Sequence, residues 1–108
     1  MSAPFVTELR SRRSTIHVGS PDGAAITIRV EMPEVWDVVA IAVAPTLSVV
    51  EVKKAALAAL FPEAQRHEEF VLKLNGWEIL NEHDSLAGVG VGNGAILLLT
   101  HRRRRAVR

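Results

Sequence analysis

This chain of 108 residues contains no cysteine. That absence removes disulfides, cysteine nucleophiles and thiolate zinc sites together, and it makes a reducing compartment the expectation. Long apolar runs are missing too. The longest, residues 38–44 and 55–61, fall far short of the ~20 residues that cross a bilayer. The opening "MSAPFVTELRSRR" lacks the basic-then-apolar order of a signal peptide. A cytoplasmic, soluble protein is the expectation from these absences. His17, His67, His83 and His101 are scattered, with neither an i,i+4 pair nor a neighbouring carboxylate cluster, so zinc-site spacing is also lacking. No Gly-Gly pair occurs anywhere.

What is present is a sequence with a core. Apolar residues make up 48%, and the length suits one domain rather than two. The formal charge of +1 divides unevenly. Residues 24–101 hold five basic against ten acidic side chains, a balance of −5, while residues 102–108 hold five arginines. The body is acidic and the tail basic. A nucleic-acid-binding body would carry a basic face of its own, so no specific nucleic-acid site is expected.

Residues 1–23 show no sustained period, and their Ser, Arg and Gly content with "GSPDG" reads as a flexible arm. Only residues 15–18 in that arm can form a short strand. "AITIRVE" then alternates, with Ile26, Ile28 and Val30 on one face, and "DVVAIAV" alternates with Val39, Ile41 and Val43. Pro33 separates them, so the pair predicts a hairpin with a longer loop. In "SVVEVKKAALAALFP" the period changes to that of a helix. Val49, Val52, Ala56 and Leu60 form a stripe, Ser48 and Glu51 are placed for a capping box, and Pro62 ends the element. "FVLKLNGWEIL" predicts a second hairpin around Asn75-Gly76, a dipeptide suited to positive φ at both turn positions. A glycine-rich connection leads to a last strand, "AILLLT". The predicted order is β-β-α-β-β-β, an α+β domain with one helix on one sheet face.

That order, over residues 24–101, resembles the ubiquitin-like β-grasp. "VAPTLSVVEVKKA" matches the strand end, proline turn and capped helix start. "VLKLNGWEIL" matches the third and fourth strands. Leu86, Gly90, Val91, Asn93, Gly94 and Leu97 fit the Leu-x-x-x-Gly-(Ile/Val)-x-(Asn/Asp)-Gly-x-x-Leu spacing before the last strand. Within the superfamily the chain is most similar to the bacterial YukD/EsaB-type proteins, small accessories of type VII secretion. The resemblance implies a non-catalytic protein-interaction module. It also points to the sheet face opposite the helix as the recognition surface.

The residues themselves do not point to an enzyme. "HDS", residues 83–85, holds triad residue types, but three consecutive residues cannot adopt triad geometry. "GVGVGNG" precedes a strand rather than opening a helix, so it is read as a crowded turn and not a phosphate loop. No cofactor or metal is expected. Alternation instead turns Val71, Lys73, Ile96, Leu98 and Thr100 outward, with Trp77 at the rim. Compared with ubiquitin, Lys73 and Thr100 replace aliphatics of its recognition patch and Leu98 replaces its histidine, so a different patch of Val71, Ile96 and Leu98 remains. Trp77 either projects as a binding anchor or folds back over Val71 or residues 80–93 as a lid. Trp36 is expected to pack beneath its loop.

A protein partner is therefore the leading expectation, and the outward aliphatic stripe also offers a homodimer contact. Two alternatives follow from the tail. A conjugated modifier needs a terminal glycine pair, which is missing. Arg102, Arg103, Arg104, Arg105 and Arg108 could instead meet nucleic acid, an anionic membrane or an acidic protein electrostatically.

Overall fold

Alternation along the strands is what closes the core. In the computed structural model, which describes residues 15–18 and 25–102, Ile28, Val30 and Met32 of β2 (Ile26–Met32) are buried on one face. Val39, Ile41 and Val43 of β3 (Asp37–Val43) lie beside them in antiparallel register, Val30 opposite Val39 and Ile28 opposite Ile41. Leu97 and Leu99 of β6 (Ile96–His101) and Leu72 of β4 (Phe70–Leu74) complete the buried face. β6 runs parallel to β2 and antiparallel to β4, and β5 (Trp77–Glu78) closes the β4 edge. The sheet is therefore mixed, with its first and last main strands side by side at the centre.

Helix α1 (Val49–Leu60) covers the buried face with Val49, Val52, Ala56 and Leu57. It ends where expected, before Pro62. Its start differs from expectation. Ser48 precedes the helix in extended conformation but makes no side-chain cap, so the capping box with Glu51 does not form. The first amides are satisfied by the backbone of another loop instead: Val49 N donates to Asp84 O at 3.0 Å and Val50 N to Glu82 O at 2.8 Å. Orphan helix amides need an acceptor, and a carbonyl pair held in place serves as well as a serine.

Two observations bear on the domain's limits. Three residues of the segment read as an arm form a strand, β1 (Ile16–Val18), which adds in parallel to the β3 edge and makes the sheet order β1-β3-β2-β6-β4-β5. At the other end, Arg102, assigned to the tail, bonds to the sheet. Its amide continues the β4–β6 pairing by donating to Glu69 O. The rest of the arm and Arg103, Arg104, Arg105 and Arg108 lie outside the described residues.

The turns follow local chemistry. Asn75 and Gly76 both take positive φ, 55° and 85°, as the two-residue hairpin requires. In the glycine-rich connection Gly90 and Gly94 take positive φ, while Gly88 sits where a Cβ would collide with the Asp84 carboxylate. Asn93 latches this connection to β2: its Oδ1 accepts from Thr27 N at 2.8 Å, and Gly94 N donates to Thr27 O at 2.8 Å.

Candidate protein-binding surface

The face opposite α1 is built by the outward positions of five strands. Register sets Val38, Glu31, Leu98, Lys73 and Glu78 in one row across it, with Arg29 beside Ile96 and Val71 beside Thr100. Ile96 is 51% exposed; Leu98, Lys73 and Thr100 are half-buried. These four stand on one face as the alternation implies.

Val71 does not belong to the accessible set. It points outward by register but is buried. The reason is Arg102. Its Nε donates to Glu68 O at 3.1 Å, and one terminal nitrogen pairs with Glu78 Oε2 at 3.2 Å. Arg102 stands opposite Glu69 and Glu78 opposite Lys73. The ion pair thus runs diagonally over β4, and Val71 is the outward residue beneath it. The expected apolar patch loses one of its three aliphatics to a charged strap.

Beside this strap lies a shallow depression of about 1020 Å³. Glu34, Glu68, Glu69 and Glu78 line it together with Arg66, Lys73 and Arg102. Glu34 Oε2 accepts from His101 N at 3.1 Å, tying the first hairpin loop to the end of β6. The Glu68 carboxyl is lowered from its ordinary value, chiefly by a hydrogen bond from its own backbone amide; desolvation opposes this, and the neighbouring His67, Arg66 and Lys53 charges add to the lowering. Among the described residues no three His, Asp or Glu side chains are grouped to hold a metal ion.

The tryptophans are where sequence reasoning and structure differ most. Trp77 is 79% exposed, so it is not a lid. Its register partner is Leu74, itself opposite Leu97. Directly opposed residues share a face, so Trp77 projects from the β5 edge on the helix-bearing side rather than on the Lys73–Leu98 face. Leu80, three residues on, is 83% exposed and lengthens this apolar edge; the sequence reading had missed it. Trp36 does not pack beneath its loop. It is 93% exposed at the tip of the first hairpin, with φ of 55°. A left-handed tryptophan is a rare conformation. It follows the 3-10 turn Pro33–Val35 and donates its amide to Pro33 O at 3.1 Å, so the turn rather than the indole dictates the backbone there. The two indoles lie at opposite ends of the sheet.

The sequence reading also passed over a buried ion pair. Lys53 is fully buried, and its Nζ donates to Glu82 Oε1 and Oε2 at 2.7 and 2.8 Å and to Phe70 O at 3.0 Å. All three ammonium protons are used. The signal was available: Lys53 lies four residues after Val49 and three before Ala56, within the apolar stripe. This pair ties α1, the start of β4 and the loop that caps α1 into one unit.

No protein-family model matches the sequence, and no curated protein does either. Solved structures do match. The ubiquitin-like domain of an Arabidopsis thaliana protein superposes with a TM-score of 0.63 at 17% identity, covering 85% of this chain and 94% of that one. Ubiquitin from Caldiarchaeum subterraneum gives 0.62 at 18% identity, with 77% and 100% covered. The ubiquitin-like domain of Plasmodium falciparum Dsk2 gives 0.62 at 18% identity, with 73% and 100% covered. The chain has the ubiquitin-like β-grasp fold.

Proposed function

We propose that this protein is a non-catalytic, ubiquitin-like interaction module that docks a protein partner through its β4–β5–β6 side. The observation that carries this reading is the exposure of Trp77, 79%, in a small domain where indoles are ordinarily buried. Exposed Trp77 and Leu80 supply the apolar anchors at the β5 edge; Ile96, Lys73, Thr100 and the charged depression lie on the other face of the sheet and offer a second contact area. Arg102 pairs with Glu78 within this surface. Within this reading the finer role is an accessory of a bacterial type VII secretion apparatus, on the strength of the Leu86, Gly90, Val91, Asn93, Gly94 and Leu97 spacing. A homodimer through Ile96 and Leu98 would use part of the same surface. Affinity capture from the native host with wild type and Trp77→Ala tests the module. Specific protein recovered by wild type and lost with the variant supports it. Recovery of nucleic acid alone, released by high salt, would sink it.

A further inference from the structure

The sheet face opposite α1 carries a pattern that matches its own reverse. Register fixes its two middle rows. In one, Ala40, Arg29 and Ile96 stand side by side on β3, β2 and β6. In the next, Val38, Glu31 and Leu98 stand on the same three strands. The rows are two residues apart along each strand, about 7 Å. Arg29, Val38 and Ile96 are exposed, while Glu31, Ala40 and Leu98 are half-buried. Among the described residues neither Arg29 nor Glu31 takes part in an ion pair. One cation and one anion thus stand in line on β2, with aliphatic side chains on both flanks.

A two-fold axis lying between two such faces, running across the strands and midway between the rows, exchanges one row for the other. Arg29 of each copy then comes opposite Glu31 of the other. Ile96 comes opposite Leu98, and the small Ala40 opposite the larger Val38. One operation matches charge with charge, aliphatic with aliphatic and small with large. Sheets pack face to face about 10 Å apart, a gap that an arginine and a glutamate bridge together. Shifting the axis onto either row sets Arg29 against Arg29 or Glu31 against Glu31, so the charges also exclude the neighbouring registers.

We propose that the partner of this face is a second copy of the chain, packed on it face to face about that axis. The aliphatics of β3 and β6 supply the affinity, and the two Arg29–Glu31 pairs between copies set the register. Five strands of about 4.8 Å spacing and three outward rows give a face of roughly 500 Å² in projection. A standard interface takes about 800 Å² from each partner, so the dimer is weak and forms only at high concentration. This takes up the homodimer reading of Ile96 and Leu98 and gives it a register. It does not draw on Trp77, which stands on the other face, so docking through Trp77 and self-association fail separately.

Sedimentation velocity of the full chain, from micromolar to millimolar concentration, tests this. Wild type should pass from monomer to dimer across that range, and Trp77→Ala should do the same. Arg29→Glu and Glu31→Arg, each alone, set like charges face to face and should weaken the dimer roughly tenfold or more. Mixed in equal amounts, the two single variants bring an acidic pair against a basic pair, so the mixture should dimerise again with one copy of each. Arg29→Glu/Glu31→Arg restores both pairs and should dimerise as wild type does. A wild type that stays monomeric, single variants that associate as tightly as wild type, a mixture that stays monomeric, or loss of the dimer in Trp77→Ala overturns the proposal. If Glu31→Arg does not fold, Arg29→Glu against the double exchange decides.

Discussion

Replacing Lys53 by methionine keeps most of the side-chain volume but removes three hydrogen bonds and a charge from a site with no solvent access. Phe70 O loses its side-chain donor, at a cost of about 1–3 kcal/mol if nothing replaces it. The Glu82 carboxylate loses its counter-charge. Breaking a fully buried pair costs roughly 3–5 kcal/mol, but the Glu82 side chain is 16% exposed, so water recovers part of that. A net loss of about 2–4 kcal/mol follows, with the methionine stem filling most of the space left behind. In a domain of this size 1 kcal/mol moves the Tm by roughly 4–8 °C, so Lys53→Met should melt on the order of 10–25 °C below wild type. Thermal and urea unfolding followed by circular dichroism would measure it. Lys53→Met/Glu82→Leu should recover much of the loss, since the uncompensated charge is gone. A loss below about 1 kcal/mol for the single variant, or a double variant as unstable as the two losses added, would refute the argument.

Two further perturbations follow from the same structure. Trp36→Asn should leave stability unchanged or raise it by up to about 1 kcal/mol, because asparagine tolerates the left-handed backbone and the indole it replaces is almost wholly exposed; a clear drop in urea midpoint would mean that the indole packs in solution. Asn93→Ala should cost about 0.5–1.5 kcal/mol by removing the acceptor for Thr27 N, whereas Asn93→Asp keeps that acceptor and should lie near wild type. Equal loss for both variants would show that the latch works through something other than that hydrogen bond.

Elements whose burial repeats at period 2 or 3.6 were legible in the sequence. The buried faces of β2, β3 and β6 and the extent of α1 follow from alternation and helical spacing alone, and the Asn75-Gly76 hairpin follows from turn chemistry. What was not legible depends on partners distant in sequence. Ser48 has the right chemistry for a cap, but two carbonyls some 35 residues away reach the helix amides first. Val71 has an outward register, but Arg102 crosses over it. Lys53 reads as a surface residue unless its place in the apolar stripe is noticed, and nothing local identifies Glu82 as its partner. β1 is too short to show a period and forms only because β3 offers an edge. The surface was read correctly as to face for Lys73, Ile96, Leu98 and Thr100. It was read wrongly for Trp36, expected to pack beneath its loop, because exposure at a hairpin tip depends on what the rest of the chain leaves uncovered; for Trp77 the two alternatives held open resolve to exposure, on the other face.

The most direct measurement is the dissociation constant of the captured partner for wild type and for Trp77→Ala, with the Tm of each chain measured alongside. Because Trp77 is mostly exposed, the substitution should change stability by no more than about 0.5 kcal/mol. An anchor residue at an interface loses about 2 kcal/mol or more on truncation, so the account predicts binding weakened roughly 30-fold with the Tm almost unmoved. Unchanged affinity would contradict it, and so would a loss of affinity that merely follows a collapse of the fold.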